Sequence, residues 1–243
     1  MAKTREIKGR LKAVGNIKRI TKTMQVIATT RFNKAQRSAT ASKPYTEKIA
    51  QLVDDLAKAA GGESGISHPL LKAPEPAVGK ELLLVLTSSR GLCGGYNASV
   101  LRRMNRFLEE HGRDRVEIEM VGKKGRGYCR FSGIELAKYH DQFGENVEFE
   151  KVEQLADDYI ARFSAGEFDA IHVVYMKFET MGRQVPNAIQ LLPLEDPVGQ
   201  EGEAEATATV EYEFSPDPAT LLSELLPITV KTELLQCFND ATV

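Results

Sequence analysis

No stretch of this sequence is apolar for long enough to cross a bilayer. The densest run, Leu82–Leu86, is five residues, where a spanning helix needs about twenty. Membrane association is therefore expected only through a partner. The opening residues, MAKTREIKGR, have neither the apolar core of a secretory signal nor the Ser-rich character of a transit peptide, so neither leader is expected. Cysteine is scarce. Cys93, Cys129 and Cys237 are odd in number and fall in no metal-ligand spacing, which excludes a disulfide frame and reads as reduced thiols of an intracellular protein. His68, His111, His140 and His172 are equally scattered, and His172, inside an apolar segment, reads as a satisfied core residue. Walker, GxGxxG, GxSxG and HExxH signatures are all missing. No catalytic residue, cofactor or metal is expected, and no repeat at a solenoid period is seen.

What is present is an ordinary globular composition, 42% hydrophobic and 27% charged, with a hidden asymmetry. Residues 1–40 hold six Lys and five Arg against the single acid Glu6, a local charge of +10. Since the whole chain carries −2, the remaining 203 residues carry −12. A basic rod joined to an acidic body points to different partners at its two ends.

The rod is helical by pattern over residues 3–58, with no proline before Pro44. Ile7, Leu11, Val14, Ile17, Ile20, Met24 and Ile27 recur in steps of three and four. Forty such residues extend roughly 60 Å, more than the width of a small domain, so much of the helix should project from its own body. At 100° per residue the apolar set covers roughly 200° of arc, wider than the seam of a two-stranded coiled coil. One partner helix and a second surface are both needed to cover it. The basic residues Lys8, Arg10, Lys12, Lys18, Arg19 and Lys22 lie between and beside the apolar ones.

Residues 61–79 are rich in Gly and Pro and read as a linker. Strand and helix patterns then alternate: strands at Lys80–Thr87, Val116–Val121, Ile134–Tyr139, Ala170–Phe178 and Asn187–Leu194, helices at Tyr96–Glu110, Lys123–Phe131 and Val152–Phe163. This order predicts an α/β fold, a Rossmann-like and mostly parallel sheet flanked by helices. The acidic stretch EGEAEATATVEYEF reads as a solvated loop leading to an edge strand. Beyond it, Pro216 and Pro218 introduce a helix at Ala219–Leu225, Pro227 breaks it, and Ile228–Asn239 starts another. The expected divisions are 1–60, 61–79, 80–215 and 216–243.

Two glycine-bearing loops invite a phosphate reading. Ser89-Arg90-Gly91-Leu92-Cys93-Gly94-Gly95 joins a strand to a helix, as phosphate loops do, but without their fingerprint; tight turning is the simpler use of its glycines. Gly122-Lys123-Lys124-Gly125-Arg126-Gly127 has the same placement and reads as a solvated turn. Asp157 and Asp158 read as surface charge. The basic helix has the charge density of a nucleic-acid or membrane-surface binder, yet its apolar residues are too regular for a phosphate-facing rod, which favours protein packing.

The motifs Arg5-Glu6-Ile7-Lys8-Gly9-Arg10-Leu11 and Asn16-Ile17-Lys18-Arg19-Ile20-Thr21-Lys22-Thr23-Met24-Gln25-Val26-Ile27-Ala28 closely resemble the N-terminal helix of ATP synthase gamma subunits. Ser89 to Asn97 resembles that family's loop after its first strand. Tyr175-Met176-Lys177-Phe178, Gln184-Val185-Pro186, Gln190 to Leu194, Phe214 to Pro218 and Leu225-Leu226-Pro227 follow in the family's order. The resemblance implies a long N-terminal helix in an antiparallel coiled coil, turning inside a ring of alternating alpha and beta subunits. It implies a body near the membrane rotor ring of c subunits that also holds the epsilon subunit, and no catalytic residue or cofactor of its own. Arg10, Lys18, Arg19, Lys22 and Arg31 are expected to meet the ring's acidic loops. Leu11, Val14, Ile17, Ile20, Met24 and Ile27 are expected to face the partner helix and the ring lining, and Arg90, Gly91, Cys93, Gly94 and Gly95 to carry the family loop.

Family members continue into a long C-terminal helix, and the sequence as given stops at Val243 where that helix is expected to begin. The expectation is a shortened chain, or a helix supplied by another chain, with the face from Leu11 to Ile27 left uncovered. The expected location is the cytoplasmic face of a bacterial inner membrane, held peripherally. Two other readings remain: an α/β nucleotide-binding protein with a helical dimerisation arm, marked by saturable nucleotide binding, and a nucleic-acid adaptor, marked by steeply salt-dependent DNA binding.

Overall fold

The computed structural model describes residues 2–59, 68–144, 147–194 and 217–243. The first helix, α1 (Ala2–Ala59), runs for 58 residues, with Pro44 inside it. The body alternates as the pattern requires: β1 (Glu81–Leu86), α2 (Tyr96–His111), β2 (Val116–Val121), α3 (Lys123–Ser132), β3 (Lys138–His140), α4 (Phe149–Ser164), β4 (Ala170–Thr180), β5 (Arg183–Leu192) and α5 (Pro218–Thr242). The five strands form one sheet in the order β3-β2-β1-β4-β5. The first four are mutually parallel, and β5 pairs antiparallel with β4.

The central strand β1 decides the layering. Its leucine run is buried on both faces, as expected of a parallel strand covered by helices. Leu82, Leu84 and Leu86 join one cluster with Ile171, Val173, α4 and α5; Leu83 and Val85 join the other with Ile118, Met120, Val174 and α2. Each fully buried side chain of this kind contributes about 1.5–3 kcal/mol.

Two sequence expectations change. The helix expected to break at Pro227 is a single helix, α5, of 25 residues. Leu222, Leu226, Val230, Leu234, Cys237 and Phe238 are buried along it, and packing on α1, α4 and β4 outweighs the local cost of the proline. The glycine-bearing stretch at 122–127 is not a solvated turn but the start of α3, the helix expected over Lys123–Phe131. A Cβ at Gly122, where φ is +96°, would overlap the Thr87 carbonyl, and one at Gly125 would overlap the Met120 sulfur, so these glycines serve close packing. Asp157 and Asp158 are surface charges, as read, and both are paired. Lys231 of α5 bridges Glu153 and Asp157 of α4 at 3.0 and 2.9 Å, and Asp158 lies 3.7 Å from both Lys138 and Arg162.

The described part of the Pro-rich stretch, residues 68–79, is irregular but fastened. Leu194 N–H donates to the Leu70 carbonyl at 2.8 Å, and Val78 and Gly79 N–H donate to the Asp169 carboxylate at 2.6 Å each. The acidic stretch read as a loop and edge strand falls outside the described residues.

Under the sheet edge, Glu119 is buried as a carboxylate. Burial alone pushes its pKa up, but hydrogen bonds from His140 (2.6 Å), Arg162 (2.7 Å) and Tyr159 (2.8 Å) reverse this and hold it at about 2. Its folded pKa lies below its unfolded one, so the group's stabilisation is complete above about pH 4.5 and is lost as pH falls towards 2. The melting temperature should therefore drop through that window, and Glu119→Gln should flatten the drop while lowering stability at pH 7. Urea titration of Leu234→Ala should show a loss of about 2–5 kcal/mol, because Leu234 of α5 is fully buried.

Candidate functional site

The long helix has two halves in different surroundings. From Phe32 onward it is clad. The Phe32 ring meets Phe178 edge-on at 6.4 Å, Ala39, Ile49, Val53 and Leu56 are buried, and α5 runs against it. A polar clasp marks the contact: Ser42 Oγ donates to Gln236 Oε1 at 2.6 Å, and Asn239 Nδ2 donates to Ser42 Oγ at 3.3 Å.

Before Phe32 the described side chains are exposed all round. Leu11, Val14, Ile17, Ile20, Met24 and Ile27 lie there as the pattern placed them, from 75% accessible at Leu11 to 46% at Met24. A monomer rarely leaves so large an apolar surface bare, and most helical stability in proteins comes from packing an apolar face rather than from propensity.

Its chemistry is apolar with a basic flank. Arg10, Lys18, Arg19, Lys22 and Arg31 are exposed on the same half. Glu6 is the one carboxylate in the first 31 residues, and Arg10 takes it at 2.7 Å. Lys22 Nζ donates to the Gln25 amide oxygen at 3.2 Å. The threonines turn inward: Thr21, Thr23, Thr29 and Thr30 donate to the carbonyls of Ile17, Arg19, Gln25 and Val26 at 2.9–3.1 Å.

The family loop is a separate feature, exposed between β1 and α2. Arg90, Gly91, Cys93, Gly94 and Gly95 all face solvent, with Gly94 at φ +57° and Leu92 at φ +65°. Its polar groups are turned on one another. Ser88 Oγ donates to the Arg90 carbonyl at 2.6 Å, Asn97 Nδ2 reaches Cys93 Sγ at 3.2 Å, and Ser88 N–H donates to Asn97 Oδ1 at 3.0 Å. Next to the loop, the Tyr96 hydroxyl donates to the Ala241 carbonyl at 2.8 Å and ties the head of α2 to the end of α5. This self-bonded geometry is that of a structural turn.

One convergence escaped the sequence. Glu81, His111 and His172, far apart in the chain, place one potential ligand atom each within 4.8 Å of the others. His172 is core, as read, but has charged company. Burial pushes its pKa down to about 4 against the nearby Glu81 carboxylate, so it is neutral at pH 7.

A family model described as ATP synthase matches residues 3–243. The ATP synthase gamma chain of Rhodopirellula baltica is 38% identical over 251 residues, covering 100% of this chain and 82% of that one. The gamma chain of Pelotomaculum thermopropionicum is 34% identical over 236 residues, covering 97% and 80%. A chain of the Tetrahymena thermophila mitochondrial ATP synthase central stalk/c-ring structure shares the fold, with a TM-score of 0.50 at 17% identity over 86% of this chain and 92% of that one. At the identity and coverage of the bacterial relatives, the likeness of the N-terminal motifs is one of descent, and this chain belongs to the ATP synthase gamma family.

Proposed function

We propose that the bare half of α1 is the part of the central shaft that turns inside the ring of alternating alpha and beta subunits. As a gamma chain the protein is a non-catalytic component of a rotary F-type ATP synthase. Proton flow through the membrane rotor ring of c subunits turns the shaft, and the turning shaft changes the beta-subunit catalytic sites in succession. The observation that carries the assignment is the change at Phe32, from a helix packed on its own body to one whose apolar arc has no cover from the described residues.

Leu11, Val14, Ile17, Ile20, Met24 and Ile27 supply the apolar contact surface; Arg10, Lys18, Arg19, Lys22 and Arg31 supply a positive field for acidic ring loops. The sheet body, with the loop Arg90–Gly95, takes the foot of the stalk, beside the epsilon subunit and the c ring. In this division residues 1–60 are the shaft helix, 61–79 a connection, 80–215 the body and 216–243 the second helical segment. No described helix is long and apolar enough to cross a membrane, in keeping with attachment through partners at the cytoplasmic face of a bacterial inner membrane.

The test is reconstitution with purified alpha and beta subunits of a bacterial relative, followed by sizing and ATPase assay. Co-elution with the ring is the expected result; a chain that stays apart and binds nucleotide saturably overturns the reading. Replacing Ile17 and Ile20 together by Asp should change the unfolding free energy read from urea titration by no more than about 1 kcal/mol, since both are exposed, and should abolish co-elution. Replacing Lys18, Arg19 and Lys22 by Ala should instead slow association and reduce its salt dependence.

A further inference from the structure

We propose that Glu81, His111 and His172 form a binding site for a divalent transition-metal ion of the zinc class, with one coordination position open to solvent. The three residues come from three elements: Glu81 opens β1, His172 lies in the neighbouring β4, and His111 ends α2, which packs over both strands. His111 Nδ1 stands 2.7 Å from Glu81 Oε2, and His172 Nε2 stands 3.3 Å from the same oxygen. Around a tetrahedral zinc with bonds of about 2.0–2.1 Å, neighbouring ligand atoms are about 3.3 Å apart. The spacings here, all within 4.8 Å, bracket that value, so small side-chain rotations complete the set.

The carboxylate itself points to a missing ligand. Glu81 Oε2 is buried, and two imidazole nitrogens converge on this one oxygen at 2.7 and 3.3 Å without a well-aligned hydrogen bond from His111. Such a group costs stability unless something satisfies it. The donor chemistry, two imidazoles and one carboxylate, is that of zinc sites and excludes an all-oxygen calcium or magnesium cage.

A packed wall holds the ligands in place. The Phe107 ring is buried and stacks on His111 with centroids 3.9 Å apart and planes at 11°, and it leans on His172 at 4.8 Å. Arg103, whose guanidinium lies 6.0 Å from the Phe107 ring centre, is paired with Glu110 at 3.2 Å. His111 keeps about a third of its side chain exposed (32%), which gives an ion an approach and leaves room for a water ligand. A bound ion would clip α2 to the two central strands, so its binding should register in the stability of the whole chain.

The full chain, stripped with chelator and dialysed, is titrated with zinc chloride while its thermal transition is followed; cobalt(II) chloride serves as the optical probe. The expected result is a melting temperature that rises with zinc but not with magnesium, together with visible cobalt bands of a four- or five-coordinate site free of thiolate charge transfer. His111→Gln, at a partly exposed helix end, should keep the fold and weaken zinc binding at least about tenfold, and Glu81→Gln should do the same. Cys93→Ser should change nothing. The proposal fails if zinc leaves the transition unmoved, if magnesium matches zinc, or if the effect survives His111→Gln and disappears with Cys93→Ser.

Discussion

The double burial of β1 is the constraint from which the body follows. Five consecutive apolar residues in a strand point alternately to both faces, so helices must cover both. Crossing between parallel neighbours then requires α2 and α3 on one side and α4 on the other. α5 completes the cover of the α4 face and, in doing so, offers its remaining side to the second half of α1. The shaft is therefore rooted in the same apolar layer that makes the sheet, and whatever disturbs that layer loosens the root.

Much of this is legible without coordinates. The three- and four-residue steps from Ile7 to Ile27 give the helix, its length and its bare arc, and the Leu82–Leu86 run gives a covered strand. The motif resemblance covers nearly the same residues as the family match, 3–243. What sequence reasoning missed depends on tertiary context. Pro227 reads as a stop because a proline costs an isolated helix its hydrogen bond; in α5, burial of Leu226 and Val230 on either side outweighs that cost. Gly122 and Gly125 read as a turn because their use is steric, against Thr87 and Met120 on other elements.

The polar groups were the least legible of all. Glu119 sits in an alternating strand pattern that gives no sign of a buried anion, and its partners His140, Tyr159 and Arg162 come from β3 and α4. The cluster at Glu81 is similar, with ligands separated by 30 and 61 residues of chain and by no recurring interval. In both cases a fold made by apolar burial brings titratable groups together, and only the register of β1 with β4, which sets Leu83 beside His172, reveals the second one.

In mechanical terms α1 is a cantilever. It is clamped from Phe32 onward and free before it, with the Ser42–Gln236–Asn239 bonds close to the clamp. The bending compliance of such a beam grows with the cube of its unsupported length, so the free end deflects far more readily than the root. A sideways push there arrives at the root as a bending moment, which falls on a few polar bonds and buried contacts of α5. The inward-turned threonines add a second mechanical property. With their hydroxyls bonded to the helix backbone, the free end meets its surroundings through apolar side chains and long, pliant Lys and Arg side chains, which can change partners as the enclosing surface moves past.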